Sequence, residues 1–232
     1  RHMSATSEPR RLLLAGTSGL IGQSLLGVLA EHRLPRPVWA LLRRQPDGHR
    51  AEALTKAMAR TLVVPDLSAL PTMPPVDDVF IALGTTIQVA GSEAAFRQVD
   101  LDAVQAVASA ARAAGATRLA VVSALGASTR STVFYNRVKG EMEEAVSALG
   151  FDSLTIARPS LLAGDRAALG QPVRLGERWA LRLTRPLQAL IPASVRPIEA
   201  RRVAVALLRA LESGAPGRVI LESAALTRQG AD

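Results

Sequence analysis

Short apolar runs alternate with longer segments of mixed polarity along most of this chain. Such runs are typical of strands buried on both faces of a parallel sheet, and the segments between them carry apolar residues at helical spacing. We predict strands at 11–16, 37–43, 61–64, 79–83, 119–122 and 153–157. Helices are predicted at 19–32, 50–58, 94–114 and 132–149. This alternation predicts an α/β fold with a doubly wound parallel sheet of the Rossmann type.

The alternation loosens after Arg158-Pro159. Beyond that point we predict an amphipathic helix at 176–190, a second helix at 200–212 and a short strand at 218–221. A tail of about seventy residues is too small to be an independent domain. We therefore expect a small C-terminal lid, at about 159–215, over the carboxyl ends of the strands, where open α/β sheets bind ligands.

Residues 10–232 are expected to form one domain. Residues 1–9, which begin Arg1-His2-Met3, are expected to be a cloning remnant and a flexible tail. Polar residues and glycines interrupt the apolar stretch at 12–30, so we expect no membrane span there.

Composition excludes several kinds of site. The chain has no cysteine, which rules out disulfides, thiolate metal ligands and a cysteine nucleophile, and which permits the cytoplasmic location that we expect. Its three histidines lack metal-ligand spacing, so no metal is expected. The formal charge of +8 could suit nucleic acid, but aromatic residues make up only 3% of the chain. Because base-stacking surfaces need aromatic side chains, we expect no nucleic-acid partner.

A glycine-rich segment lies between the first predicted strand and the first predicted helix. It reads Gly16-Thr17-Ser18-Gly19-Leu20-Ile21-Gly22. In such a segment Gly16 permits a tight turn, Gly19 lets a pyrophosphate approach the backbone, and Gly22 lets helix and strand pack closely. The free N–H groups at the helix start favour an anion there. The segment predicts a dinucleotide site, and a tight turn that binds nothing is the alternative.

The residue that reads the cofactor ribose should follow the second strand. An acid at that place would bind the 2′-hydroxyl of NAD, whereas this chain has Arg43 and Arg44. A guanidinium group suits a 2′-phosphate, so NADP(H) is favoured over NAD(H). Two solvated arginines at a strand end are the alternative.

The only tyrosine, Tyr135, stands four residues before Lys139, which is one of only two lysines. On a helix these positions share a face, so phenol and ammonium can point into one cleft. A lysine cation beside a phenol favours its ionised form and lets it exchange a proton near neutral pH. We therefore predict that Tyr135 is a general acid/base and that Lys139 also holds the nicotinamide ribose. A half-buried helix tyrosine bonded to a backbone carbonyl is the alternative for Tyr135.

Two serines and three acids near this helix complete the candidate chemistry. Ser123 closes the fifth predicted strand and could hold the substrate oxygen, and Ser128 is a second candidate for that role. A turn residue at a strand end is the alternative for Ser123. The acids Glu141, Glu143 and Glu144 are expected to form a solvated helix face.

Several of these segments together resemble a short-chain dehydrogenase/reductase. They are the glycine loop, Leu83-Gly84-Thr85-Thr86, Ser123, the Tyr135 and Lys139 pair, and Arg158-Pro159-Ser160. The context Val138-Lys139-Gly140 and the stretch from Leu161 to Asp165 are similar to the atypical branch of Tat-interactive-protein-like oxidoreductases.

The resemblance implies a Rossmann-like NADP-binding fold and further cofactor residues. Leu83, Gly84 and Thr85 match positions that line the cofactor. Pro159 and Ser160 match the segment that contacts the nicotinamide, and Asp66 matches the acid that meets the adenine amino group. Where many members carry an Asn that anchors a proton-relay water, this chain has Asp100, which puts that relay in doubt.

These residues predict an NADP(H)-dependent oxidoreductase that transfers a hydride to a small carbonyl-type substrate. The alternative is a non-catalytic NADP(H)-binding regulator of the same fold, which Asp100 and the short substrate segment favour. We expect a small-molecule substrate as the partner and a monomer or homodimer as the assembly.

Overall fold

The computed structural model describes residues 8–32, 36–163 and 196–231. The strands are β1 Leu12–Ala15, β2 Val38–Leu42, β3 Ala59–Val63, β4 Asp78–Ile81, β5 Arg118–Val122, β6 Ser153–Arg158, β7 Leu162–Ala163, β8 Ile198–Glu199 and β9 Gly217–Glu222. The helices are α1 Leu20–His32, α2 Gly48–Lys56, α3 Ile87–Ala90, α4 Glu93–Arg97, a π-helix at Gln98–Ala103, α5 Val104–Ala113, α6 Phe134–Ser147, α7 Ala200–Ser213 and α8 Ser223–Gln229.

The main sheet has the order β3-β2-β1-β4-β5-β6-β9, and every pair in it is parallel. From β1 the chain builds outward through β2 and β3, then returns to β4 on the other side of β1. The strand order therefore reverses between β1 and β4, which is where open α/β sheets bind ligands. The predicted doubly wound parallel sheet is confirmed.

Apolar side chains on alternate strand positions bury the sheet on both faces. Leu12 and Leu14 of β1 face a core that includes α1 and α7. Leu13 and Ala15 face the opposite core, which includes α5 and α6. Because helices cover both faces, the inner strands β1, β2, β4 and β5 are largely apolar and do not alternate with polar residues, whereas the edge strands β3 and β9 are more exposed.

Helix α7 belongs to the first of these cores. Its buried side chains, among them Val203, Leu207 and Leu211, pack with those of α1 on the face of the sheet. Residues 200–213 of the predicted lid therefore cover the sheet itself. The predicted helix at 176–190 lies outside the described residues, and β7 pairs with β8 on either side of that part of the chain.

The predicted helix at 94–114 is divided into three parts, α4, the π-helix and α5. Val104, Val107 and Ala111 are buried as its apolar stripe requires. The π-helix carries one extra residue in its turn, which changes the direction of the side chains around Asp100. Such turns are frequent at functional sites. Asp100 is buried here, with no exposed surface.

Gly140 brings α6 against the loop that follows β5. A Cβ atom at this position would lie 2.3 Å from the carbonyl carbon of Ser128 and 2.4 Å from the amide nitrogen of Thr129. Only glycine permits this approach, because both opposing atoms belong to backbone. The contact fixes the height of α6, which carries Tyr135 and Lys139, above the loop.

We expect Gly140→Ala to lower the free energy of unfolding by about 3 kcal/mol, since overpacking against backbone forces α6 away from the loop. Gly27→Ala is the matched control, because Gly27 also lies inside a helix and nothing stands within 4 Å of its added Cβ. That variant should be more stable by roughly 0.5–1 kcal/mol. Urea denaturation of both proteins measures the difference, and equal stability of the two variants would contradict it.

Candidate functional site

Gly16 and Gly22 are required by the fold itself. Gly16 has a φ of +97°, and a Cβ there would lie 2.4 Å from the carbonyl carbon and oxygen of Ala82. A Cβ on Gly22 would lie 2.2 Å from the carbonyl oxygen of Gly16. These contacts hold the loop after β1 against the end of β4 and hold α1 against the loop.

Gly19 differs from these two glycines. An added Cβ would meet only the carbonyl oxygen of Gly16, at the ordinary distance of 3.7 Å, and its φ is not in the left-handed region. The fold therefore makes no demand for glycine at this position. A ligand that approaches the backbone at the start of α1 would require glycine there, and a pyrophosphate is a ligand of this kind.

The other residues of the loop differ in how far they are buried. Thr17 is buried, and the side-chain amide of Gln23 donates a hydrogen bond of 2.7 Å to its carbonyl oxygen. Ser18 is exposed. Leu20 and Ile21 pack into the core beneath α1. The exposed, polar part of the loop is thus Ser18 and the backbone around Gly19.

Arg43 and Arg44 are exposed directly after β2, and with Pro65 they line a surface depression. Asp66 is also exposed, and its Oδ1 accepts hydrogen bonds from the hydroxyl and the backbone N–H of Ser68, at 2.7 and 2.8 Å. These hydrogen bonds hold the pKa of the Asp66 carboxyl below its usual value. The loops after β2 and β3 therefore present two cations and one anion at the same edge of the sheet.

Lys139 forms a buried ion pair with Asp100. Only 3% of Lys139 is exposed, and its Nζ lies 2.7 Å from Oδ1 of Asp100. The backbone N–H of Thr85 donates to the other oxygen, Oδ2, at 2.8 Å. A Cβ on the exposed Gly84 would lie 3.3 Å from Asp100 Oδ1 and 3.8 Å from Lys139 Nζ. The ion pair therefore lies directly beneath the loop that follows β4.

The surroundings of Lys139 favour its protonated form although the side chain is buried. Burial by itself lowers the pKa of this ammonium, but the charge of Asp100, then that of Tyr135, and the hydrogen bond to Asp100 outweigh it. The pKa of Lys139 is therefore raised above its ordinary value. The contact with Asp100 is one that the sequence analysis missed. The sequence does contain one signal for this contact, because Asp100 lies at helical spacing from the apolar residues Val104 and Val107 of the predicted helix at 94–114.

Tyr135 lies one helical turn before Lys139 and is half-buried. Its ring packs on Phe96 of α4, with centroids 5.3 Å apart and the planes tilted by 42°. Phe96 also packs on Phe134, at 5.9 Å. The aromatic cluster fixes the start of α6 against α4, so that Tyr135 and Lys139 share the side of α6 that faces the π-helix.

Ser123 comes directly after β5, which ends at Val122, and its hydroxyl already has a partner inside the protein. It donates a hydrogen bond of 2.6 Å to Oε1 of Glu143, which is only 1% exposed. Arg158 binds both carboxylate oxygens of Glu143, at 2.9 and 2.6 Å, and Arg218 lies 3.4 Å from one of them. The expectation that Glu143 faces solvent is wrong, because two arginines and a serine compensate its charge inside the protein.

The remaining predicted residues lie in loops at the carboxyl ends of β5 and β6. Ser128 is exposed, and its backbone N–H donates to the carbonyl of Asn136 at 3.0 Å. The carbonyl of Pro159 accepts from the N–H of Leu125, also at 3.0 Å. Ser160 donates its N–H to the hydroxyl of Ser223 and its own hydroxyl to the carbonyl of Arg196. Backbone and hydroxyl hydrogen bonds thus hold the segment after β6 in place.

The structure brings Thr85, Asp100 and Lys139 into direct contact, with Gly84 above them and Tyr135 one turn away. Ser123 is joined instead to Glu143, which lies about two helical turns after Tyr135 on α6. Among the described residues no three side chains of the metal-binding kinds come together. Within 8–32, 36–163 and 196–231, no helix has the length and apolarity that a membrane span needs.

Known proteins resemble this chain in sequence and in fold. A family model described as NAD(P)H-binding matches residues 16–179. A protein of Emericella nidulans named "Protein fmp52, mitochondrial" is 37% identical over 158 residues, which cover 66% of this chain and 67% of the relative. Members of the same named group from other organisms also match.

Two solved structures share the fold at low identity. MoeE5 in complex with UDP-glucose and NAD has a TM-score of 0.65 and 18% identity, covering 95% of this chain and 81% of that chain. An oxidoreductase of the short chain dehydrogenase/reductase family from Burkholderia thailandensis has a TM-score of 0.63 and 18% identity, covering 95% and 94%. At this identity the likeness concerns the fold alone.

The expected cytoplasmic location is contradicted by the names of the relatives, which call them mitochondrial. The expectation rested on the absence of cysteine. That absence does not distinguish one reducing compartment from another, so composition could not decide the location.

We expect Gly19→Val to fold with a free energy of unfolding within about 0.5 kcal/mol of the unchanged protein, because the added Cβ meets only the carbonyl oxygen of Gly16, at the ordinary distance of 3.7 Å. Dinucleotide binding should weaken at least about tenfold, since the side chain would occupy the place of a pyrophosphate. Thermal unfolding with and without NADPH measures both effects. Gly22→Ala is the contrasting variant and should lose stability without any ligand. Full protection of Gly19→Val by NADPH would contradict the assignment.

Proposed function

This chain belongs to the NAD(P)H-binding family, and we propose that within it the protein is an NADP(H)-dependent oxidoreductase acting on a small carbonyl-type substrate. The observation that carries the proposal is the buried Lys139 cation, which lies beneath Gly84 and one helical turn from Tyr135. A phenol and a retained cation at the switch point of a parallel sheet suit proton transfer to a substrate oxygen.

The residues of this chain fit a dinucleotide. The open backbone at Gly19 and the start of α1 would hold the pyrophosphate. Leu83, Gly84 and Thr85 would line the cofactor between the pyrophosphate and the nicotinamide. Pro159 and Ser160 would contact the nicotinamide, and the exposed carboxylate of Asp66 would meet the adenine. The bound dinucleotide supplies the hydride.

The protein would supply the proton. Tyr135 would donate it to the substrate oxygen as the carbonyl carbon is reduced, which leaves negative charge on the phenol oxygen. Lys139 would stabilise that charge, because a cation nearby favours the ionised form. Its pKa is raised, so it is protonated at neutral pH. In this proposal Ser123 orients Glu143 and α6, since its hydroxyl is already donated.

The preference for NADP(H) rests on Arg43 and Arg44. Both are exposed at the end of β2, where a cofactor ribose would lie in this fold. Guanidinium groups match a phosphate with two parallel hydrogen bonds, whereas a ribose hydroxyl offers them one acceptor.

A non-catalytic NADP(H)-binding regulator is the second candidate. The observation that favours it is that two of the three predicted catalytic side chains are held by carboxylates, Ser123 by Glu143 and Lys139 by Asp100. A panel of aldehydes, ketones and quinones, tested for NADPH oxidation at saturating cofactor, separates the two candidates. Turnover of a panel member supports the enzyme, and cofactor binding without any turnover supports the regulator.

We expect Tyr135→Phe to lower the rate of NADPH oxidation by about 10²–10⁴-fold, because the variant has no proton to donate. Its ring still packs on Phe96, so stability and NADPH binding should remain close to those of the unchanged protein. The absorbance of NADPH measures the rate, and thermal unfolding measures binding. Unchanged turnover in Tyr135→Phe would remove this residue from the mechanism.

We expect NADPH to protect the protein against thermal unfolding more than NADH does at equal concentration, since protection grows with affinity. Replacing Arg43 and Arg44 together by alanine should make the two cofactors equal. Replacing Arg60 and Arg228 together by alanine removes two other exposed arginines and is the control for the change in net charge. Equal protection of the unchanged protein by both cofactors would reject the role of these arginines.

A further inference from the structure

We propose that Asp100 is the positioning residue of this site, which fixes the ammonium of Lys139 beneath Gly84 before any dinucleotide binds. Its two carboxylate oxygens serve two different elements. Oδ1 contacts Lys139 of α6, and Oδ2 accepts from the backbone N–H of Thr85, in the loop after β4. Asp100 thus joins the predicted cofactor loop to the helix that carries Tyr135.

The π-helix determines which acids point inward. Asp100, Leu101 and Ala103 are buried, whereas Asp102 of the same segment is exposed. A carboxylate with no exposed surface is costly to bury unless a cation compensates it. Asp100 is therefore held inside by a contact that repays its lost hydration, and Lys139 is the cation that provides it.

The charges around Lys139 leave Asp100 as its direct partner. Tyr135 and Glu143 stand one turn before and one turn after Lys139 on α6. Glu143 is itself compensated by Arg158 and Arg218. Oδ1 of Asp100 has no other partner among the described residues. Asp100 and Lys139 are thus a one-to-one pair, so a change to one of them leaves the other uncompensated.

This pairing predicts how Lys139 responds to pH. Burial lowers the pKa of Lys139 and the charge of Asp100 raises it, so without Asp100 the ammonium would lose its proton more readily. With Asp100 the folded pKa is raised, so the stabilisation from this charge is present below the ordinary lysine range. It is lost as the pH rises through the folded value. A role in packing alone would not move this titration.

The chain allows a direct measurement, because Lys56 and Lys139 are its only lysines. Lys56 is exposed and paired with Glu52 on α2, so Lys56→Arg leaves a protein with a single lysine. In that background, the ε-carbon signal of ¹³C-labelled lysine reports the protonation of Lys139 alone. Asp100→Asn removes the charge and keeps the shape, and Asp102→Asn removes an exposed charge from the same segment.

We expect Lys139 to remain mainly protonated at about pH 10.5, where an ordinary lysine is about half deprotonated. Asp100→Asn should move its titration down by about one pH unit or more, and Asp102→Asn should leave it unchanged. An unchanged titration in Asp100→Asn, or an equal shift in Asp102→Asn, would overturn the proposal. If Asp100→Asn does not fold, titration of Lys139 at or below the ordinary range in the unmutated site would overturn it.

The link to the dinucleotide rests on the proposed function, and NADPH tests that link separately. Adding NADPH should change the Lys139 signal. Asp100→Asn should bind NADPH about tenfold more weakly at a pH one unit above its own lowered Lys139 midpoint than at pH 7, because only about a tenth of Lys139 is then protonated. The Asp102→Asn control should bind alike at both. If NADPH leaves the Lys139 signal unchanged, the proposed function fails, while the titration still decides the pairing. Equal affinity of Asp100→Asn and the unchanged protein at both pH values would remove the positioning role.

Discussion

Lys139 and Asp100 meet where water has almost no access, and each would be expensive to bury alone. Their contact explains why a lysine stands inside a protein whose other basic residues, apart from Lys56, are arginines. It also explains the π-helix, which turns a carboxylate inward from a helix that is otherwise apolar on that side. The loop at Gly84 and Thr85 can lie over the pair because glycine leaves room for it. The contact between Lys139 and Asp100 thus contributes both to the fold and to the candidate site.

The glycines of the loop after β1 show how the requirements of folding can be separated from those of ligand binding. Gly16 and Gly22 are fixed by contacts within the protein, so they would be required even if nothing bound there. Gly19 has no such contact, and the proposed pyrophosphate would supply a reason for glycine there. Sequence patterns present all three glycines alike. The backbone geometry distinguishes the glycine that we propose for binding from the two that the fold requires.

Much of the fold could be predicted from the sequence. Buried parallel strands are apolar along their whole length, so their positions and the doubly wound sheet followed from the pattern, and both are confirmed. The family resemblance drawn from the motifs is also confirmed, at the level of an NAD(P)-binding fold similar to short-chain dehydrogenases. Local patterns decided these features, and Tyr135 and Lys139 could be paired because they lie on one helix.

The partners of the polar side chains could not be predicted in this way. The contact of Asp100 with Lys139 joins residues far apart in the chain and depends on a π-helical turn that leaves no simple periodicity. Charged residues rarely lie inside a protein, so the sequence predicts Glu143 at the surface, and only the fold brings Arg158 and Arg218 to it. The sequence likewise places helix α7 in the lid, because nothing local shows that it packs beside α1.

A crystal structure of the complex with NADPH tests the central claim most directly, namely that a dinucleotide lies along the switch point between β1 and β4 above the buried ion pair. The account predicts the pyrophosphate against Gly19, the nicotinamide ribose within hydrogen-bond distance of Lys139, and the Lys139 contact with Asp100 retained. A dinucleotide bound away from the Gly16–Gly22 loop, or a Tyr135 hydroxyl turned away from the nicotinamide, would contradict it.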